Sequence, residues 1–407
     1  MAGIVIVGAG ECGTRAAFAL REAGHDGPIT LIGDEPHLPY ERPPLSKAAL
    51  GGDTVVPKLI ADEARLQESG IEHRRGVRVT GIDRTERRLS TDSGALSYDK
   101  LLLATGSTPR RLTQDGAELL HIAYLRTLAD AAALQPRLRP GARIVIIGAG
   151  FIGLELAAAA SGRGCRVTVI EMLPRILARL VPAEIAAVIA ARHAVAGVEI
   201  LTGVAIARLE TGPAAARITL GDGRQLDADL LVAGIGALPA TGLAVAAGLA
   251  IDNGIAVDAE LRTADAHILA AGDCCSFPLA LYGGRRVRLE AWRSAQELGN
   301  LAARNLLGGA EPHADVPWFW SDQYDLGLQI AGLPDEGRET VRRNLGDGAF
   351  LIFHLANGRL VAASGIGPGT TIGRDIRLAE MLIARHAHPD PADLTSPGVK
   401  LKSLLAA

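Results

Sequence analysis

The chain has 407 residues, a net charge of −3, and a composition that is 48% hydrophobic and 21% charged. This length suits about two to four folded domains and excludes a small binding module or a disulfide-stapled peptide. The balanced charge favours neither nucleic acid nor an anionic membrane as a partner. Four cysteines without a C-x-x-C pair, and an N-terminus without a basic region, predict a protein of the reducing cytoplasm.

The first elements along the chain are a strand, a glycine-rich turn, a helix and a second strand. Apolar residues 3–7 run into the motif GAGECG at 8–13, and a helix over 14–24 and a strand over 29–32 follow. The same pattern then occurs a second time further along the chain. The four parts of this second copy are a strand over 143–147, the motif GAGFIG at 148–153, a helix over 154–164 and a strand over 166–171.

Each copy continues with a hairpin and another apolar strand. The hairpin turns and strands are predicted at 92–94 and 101–104 in the first copy, and at 221–223 and 230–233 in the second. A single G-x-G-x-x-G motif is a weak signal, and two ordinary strand-helix turns are the alternative. Two copies in the same strand-turn-helix context predict two dinucleotide-binding domains.

The glycines of such a motif have three separate functions around a pyrophosphate. The first permits the tight turn, the second lets the backbone approach the phosphates, and the third lets helix and strand pack closely. The helix N-terminus then presents its amide groups to the anion. These three functions fall on Gly8 and Gly148, on Gly10 and Gly150, and on Gly13 and Gly153.

Acidic residues after each second strand indicate which dinucleotide binds where. Glu171 ends its strand, where a carboxylate can accept both hydroxyl groups of the adenosine ribose and repel a 2′-phosphate, so NADH is expected in the second domain. Arg175 and Arg179 follow and can weaken this preference. In the first copy Asp34 and Glu35 come just after the strand, and a longer loop indicates a larger cofactor such as FAD.

The remainder of the chain predicts mixed structure. The uncharged stretch 230–251 has the length of a membrane span, but its glycines and proline predict a buried strand, a loop and a short helix. A strand over 268–271 and a helix over 293–307 follow. Three antiparallel strands with the sequences ETVRRN, AFLIFHL and LVAASGI, joined by turns at 346–348 and 357–358, then precede a helix over 374–385.

Five motifs resemble one known family. They are PYERPPLSK at 39–47, ATGSTPR at 104–110, GAGFIGLE at 148–155, AAGDC at 270–274 and PWFWSDQY at 317–324. Along nearly its whole length the chain resembles the FAD-dependent, NADH-oxidising ferredoxin reductases of bacterial oxygenase systems, the relatives of putidaredoxin reductase.

The resemblance implies an α/β fold with two Rossmann-like dinucleotide-binding domains in a glutathione-reductase-like arrangement, followed by a C-terminal α+β domain. The expected boundaries are 1–113 with 240–313 for the FAD-binding domain, 114–239 for the NAD-binding domain, and 314–407 for the C-terminal domain.

Site residues follow from the matching motif positions. The expected FAD contacts include Gly8, Gly10, Cys12, Asp34, Lys47, Val79, Arg126, Asp273 and Trp292. The other expected cofactor-binding positions are Gly13, Ala104, Thr105, Gly106, Gly148, Gly150, Ile152, Gly153, Glu155, Glu171, Gly236 and Gly272. No metal site is expected.

Two residues are expected to act in the reaction. Glu155, in the helix after the second motif, would lie near the nicotinamide and pair with Lys47 beside the flavin. The alternatives are a carboxylate that merely favours a helix N-terminus and a lysine of a solvated loop. Asp273 is expected at the start of a helix, where it would either bind the ribityl hydroxyls or act as a simple N-cap.

The cysteines limit the route by which electrons leave. No C-x-x-x-x-C pair follows the first motif, and adjacent Cys274 and Cys275 are expected to be packing residues. The resemblance implies transfer to a [2Fe-2S] ferredoxin that serves an oxygenase. Its expected docking region, rich in arginine, includes Arg285, Arg288, Arg293 and Arg304, although an ordinary solvated face explains these charges as well.

Two other functions stay open. An NADH oxidase or peroxidase would share both dinucleotide folds but needs a reactive cysteine beside the flavin, for which Cys12 is the candidate. A non-enzymatic flavoprotein similar to apoptosis-inducing factor would also share the PPLSK-like segment.

Overall fold

The structure is a computed structural model that describes residues 3–52 and 54–405. The chain forms two compact units. The first unit comprises Met1–Glu41, Lys58–Thr108 and Leu238–Asp315, and the second comprises Arg42–Pro57, Pro109–Ala237 and Val316–Ala407. The short strands Ser107–Pro109 and Ala237–Pro239 contain two of the points at which the chain passes between the units.

A seven-stranded sheet forms the centre of the first unit. Its parallel strands are, in spatial order, Ile71–Arg75, Ile29–Gly33, Gly3–Val7, Gly94–Leu103 and Ile268–Ala270. Antiparallel strands Arg88–Thr91 and Val79–Asp83 extend it from the first half of Gly94–Leu103. Residues 4–7 are buried, as expected for a parallel strand whose two faces are both covered.

The described part of the first unit also contains four α-helices, a 3₁₀ turn and a small sheet. Its α-helices are Glu11–Glu22, Glu63–Glu68, Gly242–Ala246 and Trp292–Leu306, with a 3₁₀ turn at Ala280–Tyr282. A small sheet contains Ile255–Ala256, Cys275–Leu279 and Arg285–Val287. The helices Glu11–Glu22 and Trp292–Leu306 pack closely at Gly299, where a Cβ atom would lie 2.6 Å from the carbonyl oxygen of Cys12.

The second unit contains a smaller parallel sheet of the same design. Its strands are, in spatial order, Glu199–Thr202, Arg166–Glu171, Arg143–Ile147 and Leu230–Ala233. Three antiparallel strands accompany it: Ile206–Thr211, Ala216–Leu220 and Gln225–Ala228. Its helices are Leu128–Leu134, Phe151–Gly162 and Ala183–Val195; the shorter elements are 3₁₀ turns at Pro43–Ser46, Ala48–Leu50 and Gln135–Arg137, and a two-stranded ribbon of Thr113–Gln114 and Ala117–Glu118.

A five-stranded antiparallel sheet occupies the C-terminal part of the second unit. Its spatial order is Trp318–Gln323, Leu326–Gly332, Arg359–Pro368, Ala349–Ala356 and Glu339–Gly346. The accompanying helical elements are Gly373–Ala384 and Pro391–Thr395, with 3₁₀ turns at Pro334–Glu336 and Leu401–Leu405. The structure thus confirms the α/β class with two Rossmann-like sheets and a C-terminal α+β region. Among the described residues no helix is both long and apolar enough to cross a membrane.

Both helices that follow the glycine motifs begin earlier than predicted. They start at Glu11 and Phe151 rather than at 14 and 154. Gly10 and Gly150 are the N-caps, each with extended backbone, so the third glycine of each motif already lies within the helix. The pattern of apolar residues conceals these first helical positions, because Glu11 and Gly13 interrupt it.

The prediction that Asp273 starts a helix is wrong. The turn at 272–274 leads into the strand Cys275–Leu279, which pairs with Arg285–Val287. Gly272 has a φ of +82°, and its carbonyl oxygen accepts a hydrogen bond from the amide of Cys275. This closes a tight turn, and the chain leaves it extended.

The division into three domains stays a prediction. The segment Arg42–Pro57 belongs to the second unit, whereas the predicted boundaries placed it in the FAD-binding domain. Contacts inside the second unit explain this position: the guanidinium of Arg163 donates to the carbonyl oxygens of Leu50, Gly51 and Gly52.

Candidate functional site

The first glycine-rich turn has the geometry required to hold a pyrophosphate. Gly8 has a φ of +116°, and a Cβ atom there would lie 2.1 Å from the carbonyl oxygen of Ala104. At Gly13 a Cβ atom would lie 1.9 Å from the carbonyl oxygen of Gly8, so only glycine lets the helix pack this closely on the strand. At Gly10, by contrast, no atom of the described chain lies within 4 Å of the Cβ position, which leaves space for phosphate groups.

The second turn repeats this geometry. Gly148 has a φ of +102°, with a Cβ position 2.4 Å from the carbonyl oxygen of Gly234. The Cβ position of Gly153 lies 2.1 Å from the carbonyl oxygen of Gly148, and that of Gly150 is open within the described chain. Two turns that require glycine at the same two places, and leave the Cβ position of the glycine between them open, fit two dinucleotides.

The helix N-termini at these turns fit an anion as well. Gly10 and Gly150 are the N-caps of these helices, and as glycines they have no side chain that could accept a hydrogen bond from the first helical amides. The first amide groups of each helix therefore rely on another acceptor, and the positive end of the helix dipole favours a phosphate there.

Glu171 lies at the second turn, as predicted. Its carboxylate accepts hydrogen bonds from the amides of Ala149 and Leu173, each at 2.9 Å. The sheet registers place Gly33 at the equivalent strand position of the first unit, since Ile32 and Ile170 pair with Val7 and Ile147 respectively. The two turns therefore differ at the residue that ends the second strand, which is Gly33 in the first unit and Glu171 in the second.

The predicted acid of the first turn comes one residue later. Asp34 is largely exposed, and its carboxylate lies 3.6 Å from the guanidinium of Arg78. An acid shifted past the end of the strand indicates that the first turn accommodates its nucleotide differently from the second.

Arg175, which is expected to be able to weaken the charge preference at Glu171, is held on its own loop. Its guanidinium donates to the carbonyl oxygens of Ile176, Ala178 and Val181. Because these oxygens are neutral, the arginine keeps its positive charge, and the weakening effect stays a prediction.

The other predicted cofactor positions of the first unit lie near its glycine turn or the strand ends. Cys12 is buried against Gly272, whose Cβ position lies 3.0 Å from the Cβ atom of Cys12. Ser107 donates a hydrogen bond of 3.1 Å to the carboxylate of Asp273. Val79 begins its strand and is buried, and Trp292 begins the helix Trp292–Leu306.

Ala104, Thr105 and Gly106 form the loop after the strand Gly94–Leu103. The amide of Ala104 donates to the carbonyl oxygen of Val7, which holds this loop against the first glycine turn. The hydroxyl of Thr105 donates to the carbonyl oxygen of Ala240. The amide of Ala240 in turn donates to the carbonyl oxygen of Gly106.

Three predicted residues of the second unit have simpler surroundings. Ile152 is the second residue of the helix Phe151–Gly162 and is 46% exposed. Gly236 has a φ of +106° and accepts a hydrogen bond from the amide of Arg110. Arg126 accepts a hydrogen bond at its carbonyl from Arg42, so this predicted FAD contact and Lys47 both belong to the second unit.

Lys47 and Glu155 are paired. The Nζ atom of Lys47 lies 3.4 Å from Oε1 of Glu155, and the Glu155 side chain is only 8% exposed. Ser46 and Ser321 donate hydrogen bonds to the same carboxylate, one to each oxygen. Glu155 occupies the fifth position of its helix, beyond the predicted first turn, so its role is not that of a helix-terminal carboxylate.

Opposing effects act on the Glu155 carboxyl group. Burial raises its pKa, because the charged form loses solvation, whereas the nearby Lys47 ammonium and the two serine hydroxyls lower it. Burial is the largest effect. The proton affinity of this carboxyl group is therefore set by its burial against the Lys47 ammonium and the two serine hydroxyls.

Aromatic side chains lie beside this pair. The Lys47 ammonium lies 5.3 Å from the ring centroid of Trp320, and the rings of Trp318 and Trp320 stack at 5.4 Å. Phe319 packs on Phe151, the first residue of the glycine helix, at 4.3 Å. The strand Trp318–Gln323 thus supplies both an aromatic surface and the Ser321 hydroxyl.

Sequence reasoning missed Ser46 and Ser321. Both lie inside motifs that carried the resemblance, PYERPPLSK and PWFWSDQY. Those motifs were the available signal, but only the fold shows that the two hydroxyls share one carboxylate.

The cysteines do not form a redox pair. All four are free, and every one lies in a described part of the chain. Burial raises the pKa of the Cys12 thiol well above its usual value, and it also raises the pKa values of Cys274 and Cys275. A thiol with a raised pKa is a poor nucleophile at neutral pH.

The predicted docking arginines are partly neutralised. Arg288 pairs with Glu290, Arg293 with Glu297 at 2.8 Å, and Arg304 with Glu311 at 2.7 Å. Arg285 and Arg304 are exposed. The positive charge of this region is weaker than the arginine count suggests.

Two protein families and several individual relatives match this chain. The model of the pyridine nucleotide-disulphide oxidoreductase family matches residues 2–299, and that of the reductase C-terminal family matches residues 318–405. A ferredoxin–NAD(+) reductase component of the anthranilate 1,2-dioxygenase system of Burkholderia cepacia is 44% identical, over 98% of this chain and 98% of that protein.

Two solved structures match this chain over nearly its whole length. The ferredoxin reductase for the CYP199A2 system of Rhodopseudomonas palustris matches with a TM-score of 0.93 and 36% identity, covering 99% of each chain. The reductase in a covalent putidaredoxin reductase–putidaredoxin complex matches with a TM-score of 0.92 and 34% identity, covering 100% of this chain and 98% of that one. The chain therefore belongs to the pyridine nucleotide-disulphide oxidoreductase family, with a reductase C-terminal region.

Proposed function

We propose that this chain is an NADH-dependent ferredoxin reductase, which oxidises NADH through bound FAD and passes electrons singly to a [2Fe-2S] ferredoxin of an oxygenase system. Its cofactors are FAD and NAD(H). The observation that carries the proposal is the pair of glycine turns, each with an open position for phosphates and a helix N-terminus facing it. Relatives that are named as ferredoxin reductases support a ferredoxin as the electron acceptor.

The second turn would bind NADH. The backbone around Gly150 would hold the pyrophosphate, and Glu171 would accept the adenosine ribose hydroxyls. A 2′-phosphate about 4 Å from Glu171 would be repelled by roughly 1 to 4 kcal/mol per unit charge. This preference supports NADH over NADPH.

The Lys47–Glu155 pair would position the reacting rings. Bound FAD supplies the chemistry, since it accepts hydride and releases electrons one at a time. Glu155 fixes the Lys47 ammonium, and its own orientation is fixed by Ser46 and Ser321. Preorganised charges in a buried site orient a substrate without having to reorganise during the reaction.

The buried cysteines argue against the alternative of an NADH oxidase or peroxidase. That chemistry needs an accessible thiolate, whereas Cys12 is 6% exposed and burial raises its pKa. Four free thiols also support the reducing cytoplasm as the working compartment.

The ferredoxin would dock near Arg285, Arg288, Arg293 and Arg304. Arg285 and Arg304 are exposed, which supports their availability to an acidic partner. Carboxylates lie beside Arg288, Arg293 and Arg304, which makes the expected attraction moderate.

The test is an anaerobic titration of the FAD-loaded protein with NADH, followed by oxidised two-iron ferredoxin. The proposal requires the flavin absorbance to bleach with NADH and to recover as the ferredoxin is reduced. Purified protein that neither retains nor takes up FAD would contradict the proposed cofactor. Rapid bleaching of the flavin by NADH without reduction of any ferredoxin would instead favour the alternative of a non-enzymatic flavoprotein.

A further inference from the structure

A buried histidine in the first unit has no use in the proposed reaction. The side chain of His313 is 1% exposed, and neither ring nitrogen has a hydrogen-bond partner among the described residues. Its backbone amide donates to the carbonyl oxygen of Ala259, and its ring packs 4.9 Å from that of Phe277. Buried polar atoms are nearly always satisfied, so two unpartnered nitrogens on one ring call for an explanation.

Two carboxylates converge on this ring. One ligand atom from each of Glu297, His313 and Asp315 lies within 4.8 Å of the others, and Nε2 of His313 lies 3.9 Å from Oδ2 of Asp315. In the described part of the chain this is the one group of three or more such side chains close enough to share an ion. Glu297 also pairs with Arg293, which orients its carboxylate.

The distances are close to those of a metal centre. Ligands bonded to zinc at about 2.0 to 2.2 Å in a tetrahedron stand roughly 3.4 Å apart, so the three side chains need a contraction of up to about 1.4 Å. Asp315 is 56% exposed and can rotate to provide it, whereas His313 is fixed in the core. The partly exposed carboxylate also leaves a path for a water molecule as the fourth ligand.

We propose that Glu297, His313 and Asp315 form a binding site for one Zn²⁺ ion, with a water molecule as its fourth ligand. An imidazole nitrogen with two carboxylate oxygens suits Zn²⁺ better than Mg²⁺ or Ca²⁺, which prefer sets made only of oxygen. The ion would tie residues 313–315, the end of the first unit, to the helix Trp292–Leu306. This proposal departs from the expectation that the chain has no metal site, and it does not depend on the proposed function.

The test measures zinc retained by the tag-free, FAD-loaded protein. The protein is stripped with EDTA, incubated with excess zinc chloride and passed through a desalting column before metal analysis. We expect about one zinc ion per wild-type chain and a rise in the Tm of several degrees when zinc is restored. Asp315→Asn, isosteric at an exposed position, is expected to lose at least about tenfold in zinc affinity.

His267→Gln is the matched control, since this histidine lies in the same unit outside the cluster. It is expected to retain zinc as the wild type does. His313→Gln should lose zinc as well, but the Asp315→Asn comparison decides even if that buried variant fails to fold. No zinc in the wild type after desalting, or equal zinc in wild type and Asp315→Asn, would overturn the proposal.

Discussion

Glu155 has the most unusual surroundings of the predicted site residues. Its carboxylate is buried, accepts hydrogen bonds from Ser46 and Ser321, and lies 3.4 Å from the Lys47 ammonium. Removal of this carboxylate would leave the ammonium without its buried partner, and in the proposed role a misplaced ammonium would no longer orient the reacting rings.

Glu155→Ala is therefore expected to slow the reduction of FAD by NADH by about 10- to 100-fold. Anaerobic stopped-flow absorbance measures this step, and the Tm of the variant shows whether it is folded. Glu210→Ala, at an exposed strand position, is the control. Reduction at the wild-type rate in a folded Glu155→Ala protein would remove the residue from the mechanism.

Glu171 gives a second prediction at the scale of one side chain. Glu171→Gln keeps the size and the acceptor oxygen but removes the negative charge. The preference for NADH over NADPH, taken as the ratio of kcat/KM values, is expected to fall by about tenfold or more. Glu199→Gln, on the neighbouring strand, should leave the ratio unchanged. An unaltered ratio in Glu171→Gln would show that another group selects the coenzyme.

Two glycines of the second turn are expected to serve different purposes, Gly150 in binding and Gly153 in folding. At Gly150 a Cβ atom would enter open space, whereas at Gly153 it would lie 2.1 Å from the carbonyl oxygen of Gly148. One added methyl group should therefore have different consequences at positions only three residues apart.

Gly150→Ala is expected to raise the KM for NADH by about tenfold or more with little change in Tm, because the methyl group occupies the space for phosphate. Gly153→Ala is expected to destabilise the protein by about 1 to 3 kcal/mol. Steady-state kinetics and thermal unfolding of both variants provide the comparison. The reverse assignment, with loss of stability at Gly150, would contradict the proposed geometry.

 The strand Ala349–Ala356 carries a buried histidine that should make stability depend on pH. His354 is 5% exposed, and its Nε2 atom lies 3.1 Å from the Ser364 hydroxyl. Burial lowers the pKa of this histidine to about 4. In the unfolded chain its pKa returns to about 6.5. Between these two values the unfolded state binds more protons than the folded state, so stability falls as the pH drops through this window.

The loss is expected to approach about 3 kcal/mol between pH 6.5 and pH 4. Unfolding by urea across this range measures it, and His354→Gln should remove most of the slope. His388→Gln, at an exposed histidine, should keep the wild-type dependence. Identical slopes in wild type and His354→Gln would mean that other groups control acid stability.

Local sequence patterns predicted the elements that carry the nucleotide turns. The strands at 143–147 and 166–171 were predicted with their observed bounds, because continuous apolar runs specify buried parallel strands. The cluster around Glu155 differs, since Ser46, Lys47 and Ser321 come from segments far apart in the chain. Only the pairing with Lys47 was expected, and it came from the resemblance, because no local pattern records which distant segments meet.

At the scale of the whole molecule, association with ferredoxin is expected to depend on salt. Screening weakens attraction between an acidic partner and exposed arginines, so ferredoxin reduction should slow as the ionic strength rises from low to moderate values. Arg304→Glu should slow the reaction by a few-fold at low salt and flatten this dependence. Arg224→Glu, an exposed arginine in a hairpin of the second unit, is the control. Rates that are independent of salt would contradict docking at the arginine region.

The interrupted course of the chain through the two units has a consequence for biosynthesis. The first glycine turn is translated well before Leu238–Asp315, which the first unit also needs and which contains Gly272 and Trp292. At about 5 to 20 residues per second, translation from this turn to the end of that segment takes roughly 15 to 60 s. The nascent polypeptide must keep its early strands from aggregating over this interval, and flavin capture is expected to follow the emergence of Asp315.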